Sequence, residues 1–449
     1  MVQVLTLLFI GMVYLVAVWR PAWATAVVLT MFPIEQALQA SSSLFRDRGS
    51  LANMAIGVLV LVSLTFSFIR GRLVMRSWVT APMVLTTALY CWAATSYFWT
   101  FSPEWLAEYI RWTTPYILVT IGLAPLLIAG LDDLRELRIA LLVIGTAVAL
   151  LIIANPNFQF VGGRLVVNVD NDSRTNPLAI GALGGLLVLL LILGPSKETH
   201  PGILALRLAA FVIGLGLGFL SGSRGEVLAA VGAGAIFLPM ARRISNPAQY
   251  FATIAVAVTF GIGIMVVRGF FVGSDNADRW SFESISSGSS GRFENAADLF
   301  ALYLARPTHW LQGLGSVAFH NLPTRSGDPY SHVIVADLIC ELGLPGVVLA
   351  SCLGVLAVRN SRRLFRSVKW HNEARALVTL LSAFSVYQFI LANKAGIIWA
   401  QYDLFFGICL LARLTLLEAG DTANDEEPVD ASEEAEPEFD EGVRTARIH

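Results

Sequence analysis

The chain has 449 residues, 55% of them hydrophobic and 14% charged, with a formal net charge of −2. That balance is too apolar for a soluble multidomain protein, and no large soluble domain fits between the apolar stretches that recur from Val2 to Leu417. The overall charge neither demands nor excludes a charged partner, because acidic and basic residues are distributed very unevenly.

A membrane-crossing helix needs about 20 mainly apolar residues. In chain order the candidates are 2–18, 22–40, 51–69, 78–100, 105–129, 139–155, 177–194, 203–221, 227–241, 250–267, 332–358, 376–393 and 396–413. Allowing for a re-entrant hairpin at either end, this predicts an all-α polytopic transmembrane bundle of about eleven to thirteen spans. The first stretch lacks a basic leader and a small-x-small cleavage site before Trp19, so it is expected to stay as a helix. Cys91, Cys340, Cys352 and Cys409 lie in or beside apolar stretches without CxxC spacing, which suggests small core residues rather than disulfides or a zinc site.

One alternating set of short loops is rich in arginine: Arg70, Arg72 and Arg76, then Arg135 and Arg138, Arg242 and Arg243, and the group from Arg359 to Arg375. The other set holds fewer cations: Arg46 and Arg48, Arg164 and Arg174, Arg224, and Lys394. The positive-inside rule puts the first set in the cytoplasm and places 156–176, 222–226 and the long loop 268–331 outside. The same parity leaves the tail inside. From Glu418 to Glu441 that tail is rich in Asp and Glu with almost no large apolar residue, so it is expected to be disordered. No Walker or Rossmann glycine pattern occurs, so nucleotide hydrolysis is not indicated; no nucleic-acid partner is expected.

Candidate chemistry gathers on the outer side. Ser221-Gly222-Ser223-Arg224-Gly225-Glu226 joins two apolar helices, and Arg224 falls near the start of the second, where free N–H groups favour an anion. A plain glycine turn with a snorkelling arginine would give the same residues. Residues Phe293 to Ala305 have helical apolar spacing closed by Pro307, which predicts an amphipathic helix with Arg292 just before it as a second anion seat. A salt bridge from Arg292 to Glu294 or Asp298 is the alternative.

Asp328-Pro329-Tyr330-Ser331-His332 then leads into an apolar run holding Asp337, Glu341, Gly343 and Gly346. A histidine at a helix mouth can accept a proton from a hydroxyl group near neutral pH. Acidic groups in a span are costly, so Asp337 and Glu341 are expected to face a polar cavity or a buried partner. Asp170-Asn171-Asp172 offers a weaker divalent-metal pattern that Asx turns also produce, and His309 and His320 are expected to be surface or packing residues.

These pieces, in this order and on one side of the membrane, resemble the O-antigen ligase and O-antigen polymerase superfamily of bacterial membrane glycosyltransferases. The resemblance rests on Ser223-Arg224-Gly225, Gly291-Arg292, Pro307 through Gly313-Leu314-Gly315, Tyr330-Ser331-His332, and Glu341-Leu342-Gly343-Leu344-Pro345-Gly346. It is strongest over 203–358, with Val333 standing where ligases carry a polar residue after the histidine.

The resemblance implies N-terminal helices over 1–202, a ligase- or polymerase-like core over 203–358, C-terminal helices over 359–417 and the acidic tail 418–449. It implies an inverting glycosyltransferase of the bacterial inner membrane that uses an undecaprenyl-diphosphate-linked glycan on the extracytoplasmic face, without metal or cofactor. His332 would be the base, Arg224 and Arg292 would hold the diphosphate, and Glu341 would contact substrate. Further partners would be membrane lipid and polysaccharide chain-length and export proteins. Polymerisation of lipid-linked repeats is the expected reaction, with ligation to a lipid A core or another acceptor as the alternative and lipid-linked sugar transport as a third.

Overall fold

A computed structural model describes residues 2–75, 77–161, 163–169, 172–174, 177–195, 200–242, 244, 246–248, 250–252, 255, 282–321 and 331–425. Most of the expected span 250–267, residues 268–281 and 322–330 of the long loop, Asp170-Asn171, Asn176, Arg76, Arg243, Asp328-Pro329-Tyr330 and the tail from 426 onward lie outside the described residues.

The described chain is a helical bundle. Its helices are α1 Val2–Trp19, α2 Pro21–Leu29, α3 Met31–Ser41, α4 Ser43–Asp47, α5 Ser50–Ile69, α6 Ala81–Thr95, α7 Pro103–Ile117 and α8 Leu131–Ala154. There follow α9 Pro177–Leu193, α10 Pro201–Leu220, α11 Arg224–Arg242, α12 Phe282–Leu304, α13 Pro307–Gln312, α14 Ile334–Ala336, α15 Gly343–Ser367, α16 Asn372–Ala395 and α17 Tyr402–Asp425. Among the described residues eight helices are long and apolar enough to cross a membrane. Their apolar residues also point outward: Leu8, Leu15, Phe68, Val212 and Val355 are all exposed. In α15 only 17% of the most apolar window is buried in the protein, which fits a surface solvated by lipid tails.

Several boundaries differ from the sequence expectation for identifiable reasons. The expected span 22–40 breaks at Thr30, whose Oγ1 bonds back to the Ala26 carbonyl at 2.7 Å and ends α2. Pro115 inside α7 removes an N–H donor, and the chain continues as a π-turn over Leu118–Leu123. The expected span 332–358 divides into α14, a π-turn at Asp337–Glu341 and α15, so the membrane-length helix begins only at Gly343. The span expected at 396–413 begins at Tyr402 and continues to Asp425, so the first residues of the tail are helical rather than disordered.

The loop 156–176 departs from a purely α-helical fold. It holds a small antiparallel sheet of β1 Phe158–Val161, β2 Arg164–Val169 and β3 Asp172–Arg174, in the order β1-β2-β3. The largely β-branched run Leu165-Val166-Val167 buries against the bundle end.

Glycines set the closest helix contacts. On α9, a side chain at Gly184 would meet the Gly214 carbonyl at 2.6 Å and the Gly218 N at 2.8 Å on α10. This is the small-residue packing by which membrane helices approach without a hydrophobic driving force.

The bundle has two distinct polar ends. At one, Arg20 meets Glu136 at 3.1 Å, Arg135 meets Glu373 at 2.8 Å, and Arg375 Nε donates to the Met240 carbonyl at 2.7 Å. Buried Arg413 closes that end by donating to the Ile128 and Val74 carbonyls and to Ser77 Oγ. At the other end, Asn155 Nδ2 donates to Ser41 Oγ at 3.1 Å and Ser223 Oγ to the Pro177 carbonyl at 3.4 Å. Asn321 Nδ2 donates there to the Phe101 carbonyl at 3.1 Å.

Candidate active site

The second end gathers the cations that the sequence scatters. Gly222, at φ +68°, turns the chain between α10 and α11. Ser221 Oγ donates to the Gly218 carbonyl at 2.8 Å and accepts the Ser223 N–H at 3.2 Å, which fixes the turn and starts α11 at Arg224. Arg224 therefore occupies the helix start that the sequence predicts. Arg292 and Arg164 both lie within its electrostatic range.

Arg292 reaches this cluster by a different route from the one expected. The helix that carries it begins at Phe282, so Arg292 stands inside α12 and cannot use a helix N-terminus as its anion seat. The correction follows from the run 284–291: it is mostly serine and glycine and has no apolar periodicity, yet the backbone continues through it as helix. Downstream the expected amphipathic character holds, with Leu299 fully buried against Ala318, Phe319, Ala336 and Cys340. The helix ends at Leu304, and Pro307 opens the next one.

Two further members were not singled out from the sequence as site residues. Lys394, at the end of α16, forms an ion pair with Glu226 of α11, and their side chains are only 13% and 3% exposed. Gly225 has no room for a side chain because the Lys394 stem lies on it, with Nζ only 3.2 Å from where a Cβ would stand. Lys394 also lies within electrostatic range of Arg292 and Arg164. Arg164 arrives on β2, whose hairpin is tied down where Asn157 Nδ2 donates to the Ala40 carbonyl at 2.6 Å. The available signal was an acid and a base at the ends of apolar spans, a costly placement that calls for a partner.

His332 lies against the end of α16 that carries Lys394. Its backbone bridges to Gly396, just beyond Lys394, and a side chain at Gly396 would meet the Ile334 N and Ala392 carbonyl. His332 is half-buried and adopts φ +66°, an uncommon conformation for a residue with a Cβ. Ser331 holds it there: the buried hydroxyl donates to the Asp337 carboxylate and accepts the Val333 N–H at 3.1 Å.

Glu341 is placed differently from a substrate contact. It is 3% exposed, and its oxygens accept the Val317 N–H at 2.8 Å and the Phe319 N–H at 3.2 Å, bracing the loop after α13. Burial raises the Glu341 carboxyl above its usual range, while those amides pull the other way. Burial, then the nearby Glu341, likewise raises Asp337, and Ser331 opposes the shift.

The Gly-Leu-Gly and Glu-Leu-Gly pieces of the sequence pack on each other here. Leu314 and Gly315 N–H groups donate to the Cys340 and Glu341 carbonyls at 2.8 and 2.9 Å. Gly313, Gly315 and Gly343 all have positive φ, and a side chain at Gly313 would run into the Glu341 backbone.

An apolar cavity of about 450 Å³ is lined by Ile334 and Leu338, just after His332, and lies between α6, α11, α15, α16 and α17, past Leu353 and Phe389. His309 is buried with Nδ1 3.2 Å from the Leu302 carbonyl, and the His320 ring lies 3.9 Å from Trp105, both packing roles. All four cysteines are free. No cluster of metal-ligating side chains occurs among the described residues.

Arginines, a lysine and an imidazole-bearing turn thus share one end of a membrane bundle, beside an apolar cavity, an arrangement suited to an anionic headgroup carried on an apolar tail. Compared with known protein families the chain matches none, and no curated protein matches it either.

Proposed function

We propose that the protein is a membrane glycosyltransferase that polymerises oligosaccharide units carried on a polyprenyl diphosphate. The observation that carries this reading is the electrostatic grouping of Arg224 with Arg292 and Arg164, and of Lys394 with Arg292, beside the His332 turn. The opposite bundle end carries the larger arginine set, so the positive-inside rule makes that end cytoplasmic and the cationic cluster extracytoplasmic in a bacterial plasma membrane. The tail would then be cytoplasmic.

In this mechanism the guanidinium groups of Arg224 and Arg292 bind the donor diphosphate. The His332 imidazole takes the proton from an acceptor hydroxyl as its oxygen attacks the anomeric carbon. The bond from that carbon to the diphosphate oxygen breaks, the electron pair leaves with the diphosphate, and configuration inverts. The cations stabilise the charge gathered on the leaving group. The apolar cavity next to His332 seats part of the polyprenyl tail. Glu341 acts at one remove, by bracing the loop.

The test uses purified protein reconstituted with a lipid-diphosphate-linked oligosaccharide. His332→Ala is expected to abolish transfer while donor binding persists, and Arg224→Ala and Arg292→Ala to weaken donor binding. Wild-type turnover by the His332 variant refutes the base, and unchanged donor affinity in both arginine variants refutes the diphosphate role. Ligation is the competing reading for the same residues. A deletion strain that accumulates single-repeat glycolipid supports polymerisation, whereas long carrier-bound chains indicate ligation.

A further inference from the structure

A second cavity, with polar groups in its wall, opens at the same end of the bundle, between α3, α5 and α7, with a volume of about 810 Å³. Its wall carries a carboxylate and two amides in one network: Gln39 Nε2 donates to Glu35 Oε1 at 2.9 Å and Asn53 Nδ2 to Glu35 Oε2 at 3.2 Å. A carboxylate offers about four acceptor positions, so Glu35 retains capacity for a ligand's hydroxyls. Asn53 Oδ1 is a buried acceptor with no hydrogen-bond partner among the described residues.

Aromatic rings complete the lining. Tyr116 lies within electrostatic range of Glu35 and is held by Tyr402, stacked with ring centroids 5.7 Å apart. Trp112, 53% exposed, has the Arg111 guanidinium 5.6 Å from its ring centroid. Gly49 keeps the carboxylate accessible, since a side chain there would press on Gln39 Nε2 at 3.0 Å and Glu35 Oε1 at 3.3 Å. Convergent acceptors and amide donors that can bridge neighbouring hydroxyls, with flat aromatic faces for C–H surfaces, make a surface suited to sugars. The volume falls in the range of pockets for ligands of a few rings, about 300–1,000 Å³. The cavity is also coupled to the cationic cluster: α3, which carries Glu35 and Gln39, anchors through its Ala40 carbonyl the hairpin that presents Arg164.

We infer that this cavity is a saccharide-binding subsite, lined by Glu35, Asn53, Trp112 and Tyr116, which receives the acceptor glycan. Its acceptor role rests on the transferase reading above; its binding of sugar does not.

The experiment uses full-length protein in nanodiscs and an immobilised panel of short, lipid-free oligosaccharides from bacterial surface polysaccharides, followed by tryptophan-fluorescence titration with the best binder. Wild type is expected to retain at least one glycan. Glu35→Gln, nearly isosteric, and Trp112→Ala, at an exposed position that does not threaten folding, are each expected to weaken it by about tenfold or more. Glycan affinity within twofold of wild type in both variants overturns the assignment, as does a wild type that retains no glycan. Failure of the transferase reading appears separately, as unchanged donor-lipid affinity in both Arg224→Ala and Arg292→Ala, variants in which glycan binding to the cavity is expected to persist.

Discussion

Lys394→Met isolates the ion pair at the centre of the cationic cluster. The methionine keeps most of the apolar stem that lies on Gly225 and removes the charge. Because the pair is only 13% and 3% exposed, Glu226 is left without its ion-pair partner and with little access to water once the lysine charge is gone. Breaking a buried pair from one side costs about 3–5 kcal/mol, whereas replacing both partners with apolar groups of similar volume is often neutral or stabilising. The single variant is therefore expected to lose about 3–5 kcal/mol, and Lys394→Met combined with Glu226→Met to recover most of it. Denaturant unfolding in detergent micelles, followed by tryptophan fluorescence, measures both. A single variant within about 0.5 kcal/mol of wild type, the scatter of ordinary surface substitutions, would refute the reasoning, as would a double variant no more stable than the single one. Donor binding divides the two roles of Lys394: if the lysine also helps to hold the diphosphate, the double variant regains stability but not affinity.

Gly313→Ala forces a side chain into a φ of +80° against the Glu341 backbone, and a thermal-unfolding assay is expected to register a loss of about 1–3 kcal/mol or more. Glu341→Gln leaves one of the Val317 and Phe319 amides without its acceptor, at a cost of about 1–3 kcal/mol. The same variant reports a pH dependence. Because burial raises the Glu341 carboxyl, the native state keeps a proton that the unfolded chain releases, so stability is expected to fall as pH rises from the usual carboxylate range through the raised native value. Unfolding measured across that range should show a flatter profile for Glu341→Gln. His332→Gly relieves a left-handed backbone that His332→Ala retains, so the glycine variant is expected to be about 1–2 kcal/mol more stable in the same assay while both lose transfer.

The membrane class was legible because a span of apolar residues has few other uses, and most helices appear where hydropathy puts them. Arg224 was legible for a similar reason: a glycine turn between two apolar runs has to start a helix. Arg292 was misplaced because the Ser- and Gly-rich run before it carries no apolar period, and a backbone can continue as helix without one when its neighbours support it. The small sheet was hidden in a loop whose alternation spans only a few residues. Lys394 and Arg164 were visible as charges but not as electrostatic neighbours of Arg292, since the fold brings together residues far apart in the sequence. Glu341 stood out as an expensive acid, but a sequence does not show whether its partner is a ligand or the chain's own backbone.

That last ambiguity has a structural answer in the π-turn Asp337–Glu341. Among the described residues, Val317 and His332 are the non-glycine residues with positive φ. Each is held by one of the two acids on this turn. The Glu341 carboxylate accepts the Val317 N–H, and the Asp337 carboxylate accepts from Ser331, whose hydroxyl in turn fixes the backbone on both sides of His332. Left-handed conformations at such residues cost on the order of 1–3 kcal/mol and persist only where the surroundings over-determine them. Two buried carboxylates on one irregular turn are that over-determination. A regular helix at 332–342 would aim its side chains by helical register alone; the π-turn instead lets a fixed acid pair set the His332 turn against Gly396, two residues beyond Lys394. The burial of Asp337 and Glu341 thus goes with holding the two left-handed residues in place, and both acids precede the membrane-length helix rather than sit within it.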